Sequence, residues 1–342
     1  MTETHTDRSR LIQLDVKNEE IFNTRRTHSE AKISSLQSAL SKSTPLDRFP
    51  SVTVFAAGSY ARYEASPHSD IDLFFVCSRP RSELDGDSNI RQLRLMADIV
   101  RIGDEHGFPK FSNDGQYLNV SYLEDIINNL GGVLDDYENH FTLRMLLLLE
   151  GCCLYGHDVF STVLSETVSS YFRDYPKHEL EFKPTFLLND ILRFWKTLCL
   201  NYENKRNVRT EDEIKNTKNR VRNFKLKFSR LMTCFASIAY LMTREEVTPQ
   251  VVRAMTELTP CDRLRLVGTE VSESAVSVKK ALLLYEDFLK ETSVTEETLL
   301  SRFGSKNHRV EAFRAAREFG DQMFEVVRSV DGQGKLIRYL VI

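Results

Sequence analysis

The stretch Val52-Thr-Val-Phe-Ala-Ala-Gly58-Ser59-Tyr-Ala-Arg62-Tyr-Glu-Ala-Ser-Pro-His68-Ser69-Asp70-Ile-Asp72-Leu-Phe-Phe-Val76 decides the reading of the whole chain. An apolar run rich in Val and Phe ends in Gly-Ser, a short polar connection carries Arg62 and His68, and a second apolar run opens with Asp70-Ile71-Asp72. Side chains two apart on a strand share one face, so Asp70 and Asp72 project together while Ile71 points the other way. Two adjacent carboxylates repel each other and call for a positive charge between them. A hard divalent cation such as Mg²⁺, which takes oxygen ligands, suits the arrangement. Gly58 lets the backbone approach a ligand closely, and Ser59 offers a hydroxyl and an N–H at what reads as a helix start. A phosphate beside a carboxylate-bound metal is the expected occupant. The bland alternative is a hairpin with an acidic turn and a serine helix cap. It conflicts with two carboxylates on one face of a buried strand.

Gly-Ser followed after a spacer by Asp-x-Asp on a strand resembles the signature of the polymerase-β-like nucleotidyltransferase superfamily. The longer form Gly58-Ser59-Tyr-Ala-Arg62…Pro67-His68-Ser69-Asp70-Ile71-Asp72-Leu73 is most similar to a bacterial branch. That branch contains PII protein uridylyltransferase and glutamine-synthetase adenylyltransferase. The resemblance covers the motif well and the remainder of the chain only loosely. It implies an α+β fold, in which a small mixed sheet with helices is followed by a helical bundle.

The bulk properties fit this. A chain of 342 residues has room for two domains, and 41% hydrophobic with 28% charged residues is an ordinary globular balance. A net charge of −3 gives no general case for nucleic-acid binding, although local basic patches remain open. No apolar run reaches the length of a membrane span, and the first residues lack a signal peptide's pattern, so a cytoplasmic location is expected. The six cysteines form no CxxC pair, which points to reduced thiols and away from a structural zinc site.

Before the motif, Ile33, Leu36 and Leu40 fit one helix face, read as a brace on the catalytic domain. After it, Ile90 to Ile102 reads as a helix on the sheet and Gly115 to Leu123 as a third strand. Phe141 to Leu149 is a dense apolar helix stopped at Glu150-Gly151, and Cys152–Tyr155 reads as a short extended piece. His157-Asp158 is an isolated dipeptide that reads as a helix cap. Ala275 to Thr292 and Arg309 to Val330 are amphipathic and fit a bundle, and Lys335–Ile342 is an apolar tail. The expected divisions are an N-terminal helical segment over 1–46, a nucleotidyltransferase catalytic domain over 47–130, and a helical domain over 131–342 that closes the nucleotide cleft.

Family members add a third carboxylate from a later strand. Asp114 is the candidate, because Phe111-Ser-Asn-Asp114-Gly115 resembles a segment beside this motif in related bacterial proteins. An Asp-Gly turn is the competing reading, and Glu124 and Asp125 are the other acids near the strand. Farther on, Lys218, Arg222, Lys225 and Ser229 are spaced by one helical turn each, a cationic stripe suited to a triphosphate. In several branches of the superfamily, a Lys and a Ser at this spacing hold the distal phosphates, a role that falls here on Lys225 and Ser229. A solvated basic face, or one touching RNA or an acidic partner, is the alternative. Arg62 either neutralises phosphate or pairs with Glu64 or an Asp.

The resemblance thus implies NMP transfer from an NTP with release of pyrophosphate. Two Mg²⁺ ions would be held by Asp70 and Asp72, and the phosphates by Gly58 and Ser59. The implied acceptor is a protein hydroxyl receiving UMP or AMP, with RNA or a small molecule as alternatives. From another class, a non-catalytic nucleotide-binding regulator or scaffold would keep the same fold.

Overall fold

The computed structural model describes residues 11–42, 46, 48–81, 88–111, 115, 118–175, 182, 184–207 and 212–331. The chain divides into two units, one of Thr24–Phe182 and one of Met1–Asn23 with Lys183–Ile342. The fold class is α+β, a small mixed sheet with helices followed by a mostly helical region.

The first unit is built on four strands, β1 (Val52–Ala57), β2 (Asp72–Cys77), β3 (Val120–Tyr122) and β4 (Cys152–Tyr155), in the order β3-β2-β1-β4. β1 runs antiparallel to both β2 and β4, and β2 runs parallel to β3. Every residue of β1 is buried, as its unbroken apolar run requires of a strand covered on both faces. On one face Val54, Ala56, Leu73 and Phe75 meet Ile33, Leu36 and Leu40 of helix α1 (Val16–Ser41). On the other, Phe55 stacks on Phe74 at 5.4 Å and meets Phe160 at 6.0 Å. The brace expected from Ile33, Leu36 and Leu40 is therefore present.

The four-residue helix α2 (Gly58–Ala61) comes directly after β1, and α3 (Ser88–Glu105) lies between the parallel strands β2 and β3 as their crossover. Leu95, Ile99 and Ile102 of α3 enter the core, whereas Ile90 and Leu93 stay exposed. One correction to the sequence reading concerns a strand: the third strand covers 120–122 rather than 115–123. The extended piece read at 152–155 is present and pairs with β1 as a member of the sheet.

Helices α4 (Leu123–Asn128), α5 (Val133–Tyr137), α6 (His140–Glu150) and α7 (His157–Ser170) complete this unit. His157 and Asp158 start α7, as expected of a helix terminus. α6 is buried along almost its whole length. Within it, Arg144 is fully buried and donates to both oxygens of buried Asp135 at 2.9 and 2.8 Å, to the Ile126 carbonyl and to the Tyr171 hydroxyl. A guanidinium buried without such acceptors would be prohibitively costly, so this fan of bonds fixes α5 against α6.

The second unit is helical: α8 (Thr185–Asn207), α9 (Glu213–Lys225), a π-helical turn (Leu226–Arg230), α10 (Leu231–Met242), α11 (Pro249–Thr256), α12 (Pro260–Glu270), α13 (Ala275–Glu291), α14 (Glu296–Gly304) and α15 (Lys306–Val330). Thr248 and Thr259 cap α11 and α12 through hydroxyls that accept the Val251 and Asp262 N–H groups. An aromatic cluster centres on Phe228, which stacks on Phe288 at 4.8 Å and on Phe319 at 4.9 Å. The π turn adds a residue to the helix there, and Phe224 and Phe228 both reach the cluster, 5.1 Å apart. The apolar tail at 335–342 lies outside the described residues.

Candidate active site

The β1–β2 register pairs Ala57 with Asp72, which leaves Gly58 beside the Asp72 side chain. Gly58 has φ of +71°, and a Cβ placed on it would lie 2.4 Å from Asp72 Oδ2. No side chain fits: the backbone conformation disfavours one, and the carboxylate occupies its place. The sequence signals Gly-Ser and Asp-x-Asp are thus brought into contact by strand pairing.

A tight turn then sets the approach to Asp70. The Ser69 N–H donates to the Ser66 carbonyl at 3.0 Å, and the Ser66 N–H to Ser69 Oγ at 2.9 Å. Asp70 is exposed and Asp72 half-buried, while Ile71 between them is buried, so the expected alternation holds although β2 itself begins at Asp72. Burial pushes the Tyr60 phenol up to about 12, with a further contribution from the Asp70 charge, so this hydroxyl stays neutral beside the motif. Ser59, next to it, is half-buried.

Beneath the turn lies an ion-pair group that the sequence did not announce. Glu150, the last residue of α6, accepts the Gly58 N–H at 3.2 Å through Oε1 and Arg62 Nη1 at 2.7 Å through Oε2. Arg62 Nε donates to Glu64 Oε2 at 2.8 Å, and Arg25 donates to the Glu64 carbonyl at 2.9 Å. Arg62, Glu64 and Glu150 are all buried. Of the two readings of Arg62 the structure takes the pairing one. Its guanidinium is spent on two buried carboxylates and serves to hold the Gly58 turn. The only hint of Glu150 in the sequence is a carboxylate directly abutting the apolar run Met145-Leu-Leu-Leu-Leu149.

Asp114 lies outside the described residues. The segment leading towards it does not: Ile71 donates to the Lys110 carbonyl at 2.9 Å and bridges to Phe111. Glu124 and Asp125 are ruled out as the third carboxylate. β3 runs parallel to β2 with Tyr122 opposite Cys77, so these two acids lie past the far end of β2, about 16 Å along the strand from Asp72. There they bind Arg81, through its backbone N–H and its guanidinium.

Lys225 and Ser229 belong to the helical unit, where Ser229 lies within the π turn that starts directly after Lys225. Lys225 is exposed. Ser229 is buried, and its hydroxyl donates to the Lys225 carbonyl at 2.9 Å. That bond places Ser229 one helical turn from Lys225. Of the outer residues, Lys218 pairs with Glu296 at 3.2 Å.

Among the described residues no group of three or more His, Cys, Asp or Glu is arranged to hold a metal ion. Two carboxylates nevertheless fit Mg²⁺ at a nucleotide site, because this ion commonly takes one or two carboxylates and completes its shell with phosphate oxygens and water. Asp70 and Asp72 are the donors of that kind here.

Residues 44–133 match the family model described as a nucleotidyltransferase domain. No curated protein and no solved structure matches the chain. The match covers about a quarter of the chain, the part that carries the Gly58–Asp72 contact, and supports NMP transfer from an NTP as the general activity of that segment. The match ends before β4 and Glu150. Among the described residues, no helix is long and apolar enough to cross a membrane.

Proposed function

We propose that this chain is a divalent-metal-dependent nucleotidyltransferase that moves UMP or AMP from an NTP to a hydroxyl of a protein acceptor, releasing pyrophosphate. The contact of Gly58 with Asp72 carries the reading, since it joins a phosphate-approachable backbone to a metal-suited carboxylate. Asp70 and Asp72 would hold the metal, which when bound supplies charge stabilisation for the triphosphate and lowers the pKa of the acceptor hydroxyl. The Ser59 hydroxyl would bind a phosphate oxygen, and the Glu150–Arg62–Glu64 group keeps the turn in its left-handed shape throughout. Asp114 is kept as the proton acceptor for the attacking hydroxyl, and Lys225 as a cation for the distal phosphates. The choice of a protein acceptor, and a cytoplasmic setting for it, rest on the similarity of residues 58–73 to the uridylyl- and adenylyltransferase motif.

The test is incubation of purified protein with Mg²⁺ and each α-labelled NTP, with cell lysate and separately with total RNA. Label on a protein band that disappears in Asp72→Asn supports the proposal. Label on RNA reassigns the acceptor. Nucleotide binding with neither label transfer nor pyrophosphate in any condition would leave a nucleotide-binding regulator as the better account.

A further inference from the structure

The helical unit contains a concavity of about 300 Å³ lined by Arg220, Lys306, Arg309, Val310, Phe313 and Arg317. Arg220 comes from α9 and the rest from α15, so the cations converge from elements far apart in sequence. On α15 the residues 306, 309, 310, 313 and 317 recur at three- and four-residue spacing and share one face. At ~100° per residue, Glu311 and Glu318 fall on average more than 90° away from that face and do not neutralise it. Arg220 has Glu213 at 3.6 Å, and Arg309 donates to the Phe303 and Gly304 carbonyls at the end of α14. Lys306 and Arg317 have no ion pair or hydrogen bond among the described residues, and both are exposed.

The space between these cations is apolar. Val310 is 58% exposed, and Phe313 is half-buried at the rim of the aromatic cluster, 6.4 Å from both Phe224 and Phe303. Cations around an apolar floor match a ligand with both features: phosphates for the guanidinium and ammonium groups, and a flat base for the floor. The volume is at the lower limit of small-ligand pockets.

We propose that this concavity is a second nucleotide-binding site, one that shares no residue with the Gly58–Asp72 site. It would receive a phosphorylated nucleoside, either free or as one unit of single-stranded RNA. Lys306 and Arg317 stand about 16 Å apart along α15, so a free mononucleotide would place its phosphate on one of them, and a single strand would place separate phosphates on both. The inference rests on the pocket alone, and it stands or falls separately from the proposed transfer activity.

The experiment uses the full chain carrying Asp72→Asn, to remove metal-supported binding at the motif, with and without Lys306→Ala/Arg317→Ala. Binding of a 5′-labelled single-stranded oligoribonucleotide is followed by anisotropy at several salt concentrations, and a labelled mononucleotide is titrated in parallel. Both exchanged side chains are exposed, and equal thermal unfolding confirms an intact fold. The expected result is at least tenfold weaker binding in the double variant. For RNA the slope of log affinity against log salt should also fall by about 1.4, the value for two lost phosphate contacts. Loss confined to the oligonucleotide identifies RNA as the source, and loss with the mononucleotide identifies the free ligand. Equal affinity in both proteins, or no binding of either probe, would overturn the proposal.

Discussion

Glu150, at the end of a buried helix, accepts the backbone N–H of Gly58 at 3.2 Å with one carboxylate oxygen and Arg62 at 2.7 Å with the other. The motif turn is therefore held from behind by a residue 92 positions away. Glu150→Ala removes a buried partner from Arg62 and from the Gly58 N–H together. Breaking a buried pair from one side costs about 3–5 kcal/mol, so urea unfolding should show a loss of that order, reduced insofar as Glu64 still holds Arg62. Glu150→Gln keeps an acceptor oxygen and should lose less stability. Its transfer activity should still fall at temperatures where the protein stays folded.

Gly58→Ala is expected to be worse than a usual loop substitution. The left-handed backbone costs a non-glycine residue about 1–2 kcal/mol, and the new methyl would sit on Asp72 Oδ2. Stability should drop by at least this amount and transfer should be abolished, as measured by denaturation and pyrophosphate release. An active Gly58→Ala protein would contradict the geometry assigned to the turn.

Asp70→Asn and Asp72→Asn each remove a charged oxygen donor without changing shape. Under the proposed function, either should reduce turnover beyond the ~10–100-fold typical of losing an outer partner of a metal site. Chelation by EDTA should reproduce the loss in the wild-type protein, and added Mg²⁺ should reverse it. Circular dichroism should show both variants folded.

A pH effect is expected from His28. Burial holds this imidazole below its ordinary 6.5, helped by the charges of Lys32 and Arg25 and opposed by a hydrogen bond with the Ser66 backbone. The unfolded chain then binds more protons than the folded one as pH falls below 6.5, so stability rises with pH in that window. This contribution is intact above 6.5, is lost as pH falls from there, and is fully lost below the folded-state value. The stability difference between wild type and His28→Gln, measured by urea unfolding from pH 5 to pH 8, should be flat at the upper end and shift in favour of the variant at the lower end.

How much the sequence discloses depends on the range of the interactions. β1 and β2 were readable because apolar runs and a period of two are local properties of residues 52–76. The α1 brace was readable from the spacing of Ile33, Leu36 and Leu40. Glu150 was not, since nothing near it in sequence reports on Gly58. The burial of Arg144 was equally silent, because its partners Asp135, Ile126 and Tyr171 come from other elements. β4 was legible as an extended piece at Cys152–Tyr155, but its pairing with β1 was not, because β1 lies about a hundred residues earlier. The π turn at Leu226–Arg230 was not legible either, and its Phe228 packs on Phe288 and Phe319, far along the chain.

The sheet order β3-β2-β1-β4 has a consequence for anyone dissecting this protein. A fragment trimmed to residues 44–133, where the family match ends, would keep the whole motif and discard β4. β1 would become an outermost strand with a bare row of amide and carbonyl groups, flanked by Val54 and Phe55 stripped of their cover. Such a fragment should precipitate or pair with itself before it binds a nucleotide. Extending it to residues 24–175 supplies the missing strand, Glu150 and the α1 residues that cover Val54.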